Sequence, residues 1–297
     1  MRHLIFVKKD QLKLIRESRN WFIGGTYKMV SHPFVQLITI HRFVRSGDNS
    51  KQVPIVYMLL SRRRRSDYIK VLTCLKEHLG QPQVEAFMLD FDADIWEAVR
   101  QIFPGKIMKG CNFQWSTQVY RQIQKAGLSA EYKKKEGIYR CLRNFMCLPY
   151  LPTGHIKPSF EKLREFAAGA TEPVKRVISY IDTAWISSAQ WGPENWSVYG
   201  QQVRTNNDVK GWHSRITGRA GWFKLPVYDL TELLFKEARW VDYEIRCVSE
   251  HMTSRYQRKK YVQINKELSR VWNDYAKHNI TTSGLLREVN DITGTGR

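Results

Sequence analysis

The sequence predicts an α/β fold, with a mixed sheet flanked by helices and a long helical stretch after it. Three observations carry this. Three β-branched and aromatic runs follow one another within residues 21–60, and strand and helix patterns then alternate over 66–126. Beyond residue 129 only helix-like segments are read. With 42% hydrophobic residues and ten tryptophans in 297, the chain holds enough apolar material for a packed, aromatic-rich core.

The first element is a helix over residues 8–18. Residues 21–30 (WFIGGTYKMV) and 35–43 (VQLITIHRF) follow as strands, broken by the turn-forming Ser31-His32-Pro33. Residues 53–60 (VPIVYMLL) are almost continuously apolar, as in a strand covered on both faces. A helix over 66–79 places Tyr68, Val71, Leu72 and Leu75 at helical spacing. Strand 85–89, helix 95–103 closed by Pro104-Gly105, strand 106–110 and helix 113–126 complete the run. The order βββαβαβα, hairpins first and crossovers after, is that of a ribonuclease-H-like core. Residues 1–128 form its first part, and 129–203 read as a helical insertion with helices at 159–168 and 173–183. Residues 204–297 close the core and make the second half mostly helical, with helices at 231–243 and 249–276. No repeat or low-complexity linker separates these parts, so they are read as one structural unit.

Forty-eight Lys and Arg oppose 28 Asp and Glu, a formal net charge of +20, with a pI near 9.8. On a folded chain such a charge points to a polyanion, because counterions released from a phosphate backbone drive binding. A membrane surface fits less well, since no basic amphipathic helix with a matching apolar face and no lipidation signal is found. No apolar run reaches the ~18 residues of a membrane span, and the one in MRHLIFVKKDQLK is too short for a signal peptide. The expected setting is soluble and intracellular, nuclear for a DNA partner, with no membrane and no small-molecule substrate. Cys74, Cys111, Cys141, Cys147 and Cys247 form no C-x2-C pair, which argues against a zinc ribbon or a disulfide framework. They read as buried free thiols in a reducing compartment, ahead of a metal cluster of Cys141, Cys147 and His155.

Three basic clusters stand out: Arg62, Arg63, Arg64 and Arg65; Lys133, Lys134 and Lys135; and Arg255, Arg258, Lys259 and Lys260 within RYQRKK. A charge run is commonly a solvated face. Interleaved Tyr and Trp make these clusters, with Arg204, candidates for a phosphate track with stacking aromatics. DNA binding of that kind is sequence-independent and weakens steeply with salt.

Asp90 directly follows the apolar AFML and precedes a helix. A residue there sits at the carboxyl end of a strand, where open α/β sheets gather ligands. Capping of the next helix is the alternative. Three blocks place this Asp in a wider pattern: WFIGGTYKMVSHPFVQLITIH; MLDFDADIWEAVRQIFPGKIMKGCNFQWSTQVYRQIQKAGL; and YIDTAWI with VRTNNDVKGWHSRI. In content, order and spacing they resemble the catalytic core of Mutator-like (MULE) transposases over roughly residues 10–290. The zinc-binding DNA module that often precedes this core in the family is not expected in the sequence.

The resemblance implies DDE chemistry. Three carboxylates hold two Mg²⁺ or Mn²⁺ ions ~3.5–4 Å apart, which activate water or a 3′-hydroxyl for attack on a phosphodiester. Hard cations need oxygen ligands, so these positions tolerate little change. Here the first acid falls on Gly24 of Gly24-Gly25-Thr26-Tyr27, the second on Asp90, and the third on Lys210 of NNDVKGWH. The Cys-x-x-His of the family becomes Cys111-Asn112-Phe113-Gln114. Asp92 is near enough in sequence to join Asp90 as a metal ligand, whereas Asp208 lies about 200° around a helix from Lys210 and faces away. The implied protein is a catalytically inactive relic that keeps non-specific DNA binding and needs no cofactor, Mg²⁺ or Mn²⁺ entering only with residual activity. Lys210 either sets its ammonium in the vacated metal position and pairs with Asp90, or is solvated at the cleft edge. Arg204, Asn206, Asn207, Trp212 and His213 remain as scaffold, to read phosphate or to fix the helix entry. Two other functions stay open: an active or partly active Mg²⁺-dependent DDE transposase, and a domesticated protein-interaction module without a nucleic-acid role. Oligomeric state is also open, although strand transfer on paired ends commonly needs more than one core.

Overall fold

Alternation of large apolar residues along residues 20–60 builds the centre of one six-stranded mixed sheet. The structure, a computed structural model, describes residues 2–47, 49–221, 223–250 and 259–294, with backbone only at 49 and 259–261. The strands are β1 (Leu4–Phe6), β2 (Asn20–Thr26), β3 (Gln36–Ser46), β4 (Asn49–Leu60), β5 (Ala86–Leu89) and β6 (Ile107–Gly110). Their spatial order is β1-β4-β3-β2-β5-β6. Strands β2, β3 and β4 pair antiparallel, β1 joins the far edge of β4 antiparallel, and β2 pairs parallel with β5. The expected α/β class with a mixed sheet is what the fold has.

Two features depart from the sequence reading. The three-residue β1 was not anticipated, because a strand this short carries no alternation to read. The β3–β4 hairpin also runs further, from Gln36↔Leu60 to Ser46↔Asn49, with Gly47 at φ +56° where a left-handed residue is needed. Polar residues at its tip hide this extension. Within β4, Pro54 faces His41 while Val56 faces Ile40, so Ile55 is an extra residue. A bulge there accommodates a proline that has no N–H for the ladder.

The sequence folds into two units, one of residues 1–109 with 206–256, the other of 110–205 with 257–297. The first holds the whole sheet except the last residue of β6. On one face of the sheet, Leu37, Tyr57 and Leu59 meet Trp212 and Ile216 of α10 (Asn207–Arg219) and Leu230 and Leu234 of α11 (Val227–Ser249). Alternate residues point the other way, toward α2 (Arg65–Leu79) and α3 (Ala93–Ile102). Trp21 sits edge-on to Phe87 and Phe103 there, with ring centroids 5.6 and 5.4 Å away, and Tyr68 Oη donates to Gln36 Oε1 at 2.9 Å. Helix α1 (Lys9–Arg16) is tied in by Gln11, which donates to the Ala238 carbonyl at 2.8 Å.

A buried carboxylate locks α10 to α11. Glu237, with 1% of its side chain exposed, accepts from Arg215 and Arg219 and from Trp212 Nε1 at 2.9 Å. Three donors on one oxygen pair offset the cost of burying that charge.

Among the described residues the second unit is helical: α4 (Asn112–Lys125), α5 (Ser129–Lys133), α6 (Gly137–Met146), α7 (Thr153–Phe166), α8 (Glu172–Ile181), α9 (Pro193–Trp196), α12 (Lys259–Ala276) and α13 (Thr282–Gly294). Its centre is aromatic: Trp115 stacks on Trp196 at 5.5 Å and packs against Trp185 at 5.9 Å. Arg143 ties α6 to α13 through Asn290 and Thr293. The helix read over 249–276 is α12 plus the last residue of α11, and residues 251–258 between them lie outside the described residues. No helix of the described residues is long and apolar enough to cross a membrane.

Candidate functional site

Beside the sheet centre, β2 is flanked by β3 on one side and β5 on the other, so the chain direction of successive connections reverses there. Loops diverge at such a point and leave a crevice at the carboxyl ends of the strands. A cleft of about 170 Å³ opens there, bounded by Gly24, Gly25 and Thr26 of β2, Lys28 just beyond it, Asp90 at the end of β5, and one side of α10. Gly24, Asp90 and Lys210, which lie up to 186 positions apart in sequence, all line it.

Each position is held by its neighbourhood. Asp90 follows β5 directly, and its carbonyl accepts from Trp96 Nε1 at 2.8 Å, which anchors the turn into α3. Lys210 lies in the first turn of α10, and its Nζ stands 4.0 Å from Asp90 Oδ1. The two side chains are 31% and 29% exposed, so this long pair is partly screened and contributes at most about 1 kcal/mol. Asn206, fully buried before α10, donates from Nδ2 to the Ile23 carbonyl at 3.2 Å and fastens the helix start to β2. Of the scaffold residues, Asn206, Trp212 and His213 therefore fix the helix, while Asn207 is exposed.

Gly24 faces α10 closely. A Cβ built on it would lie 2.6 Å from Val209 Cγ1 and 3.3 Å from His213 Cε1. Real Cβ atoms do not sit that near another carbon, so the space an acidic side chain needs is occupied by Val209.

Behind Gly24 runs a buried chain of hydrogen bonds. His213 Nε2 is 3.0 Å from Thr39 Oγ1, which is 3.0 Å from His41 Nε2, and His41 Nδ1 is 3.3 Å from the Gln52 carbonyl. A carbonyl only accepts, so His41 carries its proton on Nδ1 and accepts at Nε2 from the Thr39 hydroxyl. That leaves the Thr39 oxygen to accept from His213 Nε2–H, with His213 Nδ1 unprotonated. Burial, and then the neighbouring His213, hold His41 well below the usual imidazole range. Burial, and then the charge of Lys210, push His213 down to about 4. So weak a base is poorly matched to taking a proton near pH 7.

The remaining acids sit elsewhere. Asp92 caps α3, accepting from Asp94 N at 3.1 Å, and its other oxygen lies 3.5 Å from Arg63 Nη2. Asp208 points away from the cleft and accepts from Gln52 N at 2.9 Å; burial raises its pKa. Among the described residues no three His, Cys, Asp or Glu side chains converge as a metal site would require. Cys111 is buried at the start of α4, ahead of Gln114. Cys147, pushed up to about 11 by burial, stays a thiol. His155 is held by Tyr275 Oη at 2.6 Å.

The basic residues divide between the two units. Arg62, Arg63, Arg64 and Arg65 are exposed at the end of β4 in the first, with Arg63 on Asp92 and Arg65 on Glu97. Lys133, Lys134 and Lys135 are exposed at the end of α5 in the second. Arg204 is half-buried there, donating to Asn265 Oδ1 and stacked 5.9 Å from the Trp272 ring centre. Arg255 and Arg258 lie outside the described residues, and Lys259 and Lys260 begin α12 with side chains outside them.

The sequence reading missed Lys28, Ser214 and Thr217 as cleft residues. Lys28 and Ser214 lie inside blocks already quoted, while Thr217 carries only the helical spacing of α10 as a signal. Compared with family profiles and with curated proteins, the chain finds a match in neither.

Proposed function

We propose that this protein is a Mutator-like transposase core that has lost strand-transfer chemistry and binds nucleic acid without cutting it. The observation that carries this reading is the cleft itself: a lysine stands 4.0 Å from its one lining carboxylate, and a valine fills the place beside Gly24. Strands β4-β3-β2-β5-β6, three antiparallel and then β5 parallel to β2, support a ribonuclease-H-like arrangement. The three sequence blocks supply the resemblance, and the charge of +20 supplies the affinity for phosphate.

Mg²⁺ or Mn²⁺, which the resemblance implies, does not fit these residues. A divalent ion needs several oxygen ligands and tolerates no ammonium among them. Asp90 is one carboxylate beside Lys210, and Asp92 is committed to the α3 cap and to Arg63.

The test is supercoiled plasmid incubated with the protein in Mg²⁺ and in Mn²⁺, with binding followed by gel shift at ~50 mM salt. Binding without nicking is expected. Metal-dependent nicking that Asp90→Ala abolishes would establish an active enzyme instead. No binding at low salt would favour an interaction module with no nucleic-acid role.

A further inference from the structure

The cleft, together with Tyr27 between its lining residues Thr26 and Lys28, has the parts of a single-strand binding site. Its charged lining is two ammonium groups, Lys28 and Lys210, against the one carboxylate of Asp90. Three carboxylates converging on metal would make such a cleft strongly negative; this one is net positive. Thr26 and exposed Ser214 add hydroxyls that can donate to an anion. His213 in the same wall is kept neutral and adds no charge of its own.

Tyr27 lies between Thr26 and Lys28 and is 60% exposed. An aromatic ring that open, on the residue between two that line the basic cleft, is not part of the core. The Arg63 guanidinium lies over the ring at 5.8 Å from its centre, and Arg63 is itself held by Asp92. Cation–π contact of this kind orients the ring and deepens its polarisation. A stacking ring beside phosphate-pairing lysines is how proteins hold unpaired strands, because every base has a π-face while a base inside a duplex does not offer one.

We propose that this cleft binds single-stranded nucleic acid directly and without metal, Lys28 and Lys210 pairing with backbone phosphate while a base stacks on Tyr27. The inference rests on the nucleic-acid reading above and assigns that function a place. Asp90 is then a competitor for Lys210 rather than a ligand, so its removal strengthens binding.

The test is fluorescence anisotropy of a labelled single-stranded 12-mer with the full chain, in EDTA and in Mg²⁺ at matched ionic strength, over 50–200 mM salt. Wild type is expected to bind as well in EDTA as in Mg²⁺. Lys28→Ala and Lys210→Ala should each weaken binding and lower the salt slope by about 0.7, the share of one phosphate on a single strand. Tyr27→Ala should weaken it by about 5- to 150-fold, and Tyr27→Phe should retain it. Asp90→Asn should tighten binding, a change that misfolding does not produce. Wild-type binding that none of the lysine and tyrosine variants alters overturns the site while leaving the nucleic-acid reading intact. Binding that depends on Mg²⁺ and is lost in Asp90→Asn makes the cleft a metal site and overturns the proposal. No wild-type binding at 50 mM salt overturns both together.

Discussion

Gly24→Ala tests how closely α10 packs against β2 at the cleft. Gly24 lies in β2 outside the left-handed region, so a side chain brings no backbone strain. Replacing glycine at a compatible position gains roughly 0.4–1 kcal/mol by restricting the unfolded chain. Against that, the new Cβ would lie 2.6 Å from Cγ1 of Val209, a residue only 1% exposed, and 3.3 Å from His213 Cε1. Overpacking of this kind costs about 1–3 kcal/mol, so the single substitution should destabilise by about 1 kcal/mol. Val209→Ala should cost roughly 2 kcal/mol through the cavity it leaves. In the double variant the added methyl fills part of that cavity, and the sum of the single losses should exceed the double loss by about 1–2 kcal/mol. Urea denaturation at pH 7, with m-values compared across the four proteins, measures the cycle. Additivity within about 0.5 kcal/mol, or a stabilised single Gly24→Ala, would refute the close approach and with it the idea that Val209 fills the space beside Gly24.

Two further predictions concern the groups behind and beside the cleft. His213 is held down to about 4 when folded, while the unfolded imidazole takes its proton near 6.5; the unfolded chain therefore binds more protons between these values, and stability falls as pH falls through that window. From pH 7 to 4.5 the loss is roughly 2–3 kcal/mol, with His41 steepening it, and His213→Gln, whose amide can still donate to Thr39, should remove most of that share; denaturant midpoints with an unchanged pH slope would contradict it. Glu237→Ala should cost about 3 kcal/mol by taking the acceptor from the Trp212 indole and the carboxylate from Arg215 and Arg219. Glu237→Gln should cost less, and chemical denaturation showing a loss under about 1 kcal/mol for the alanine would mean the cluster does not lock α10 to α11.

What the sequence reveals of this fold follows from how far each signal reaches. Residues 53–60 announce a buried strand because eight neighbouring side chains are nearly all apolar. The start of α2, the turn after α3 and the helical character of residues 129–203 are likewise local patterns. β1 is not local: Leu4, Ile5 and Phe6 become a strand by pairing with Leu59, Met58 and Tyr57. α10 is read only around Asp208 and Lys210 and without bounds, because its glycines at 211 and 218 dilute the helical pattern. In the cleft, Asp90 is legible from its place after an apolar run. Val209 filling the space beside Gly24 is not, since 185 residues separate them and valine carries no chemical mark. The Thr39–His213 bond spans 174 positions, and no periodicity links its ends.

The cleft residues also constrain one another, which argues that its present charge pattern is a settled arrangement. Glycine at 24 permits the close approach of α10, and Val209 then seals that wall with carbon. Lys210, one residue on, brings its ammonium to Asp90 and gives that carboxylate a counter-charge without metal. The same ammonium disfavours protonation of His213, whose Nε2–H is committed to Thr39. An acid in place of Lys210 would remove that counter-charge and add a second anion to the wall that carries Asp90, which like-charge repulsion disfavours. An acid at 24 alone would collide with Val209. Acidic side chains at both 24 and 210 would therefore require a change at 209 as well.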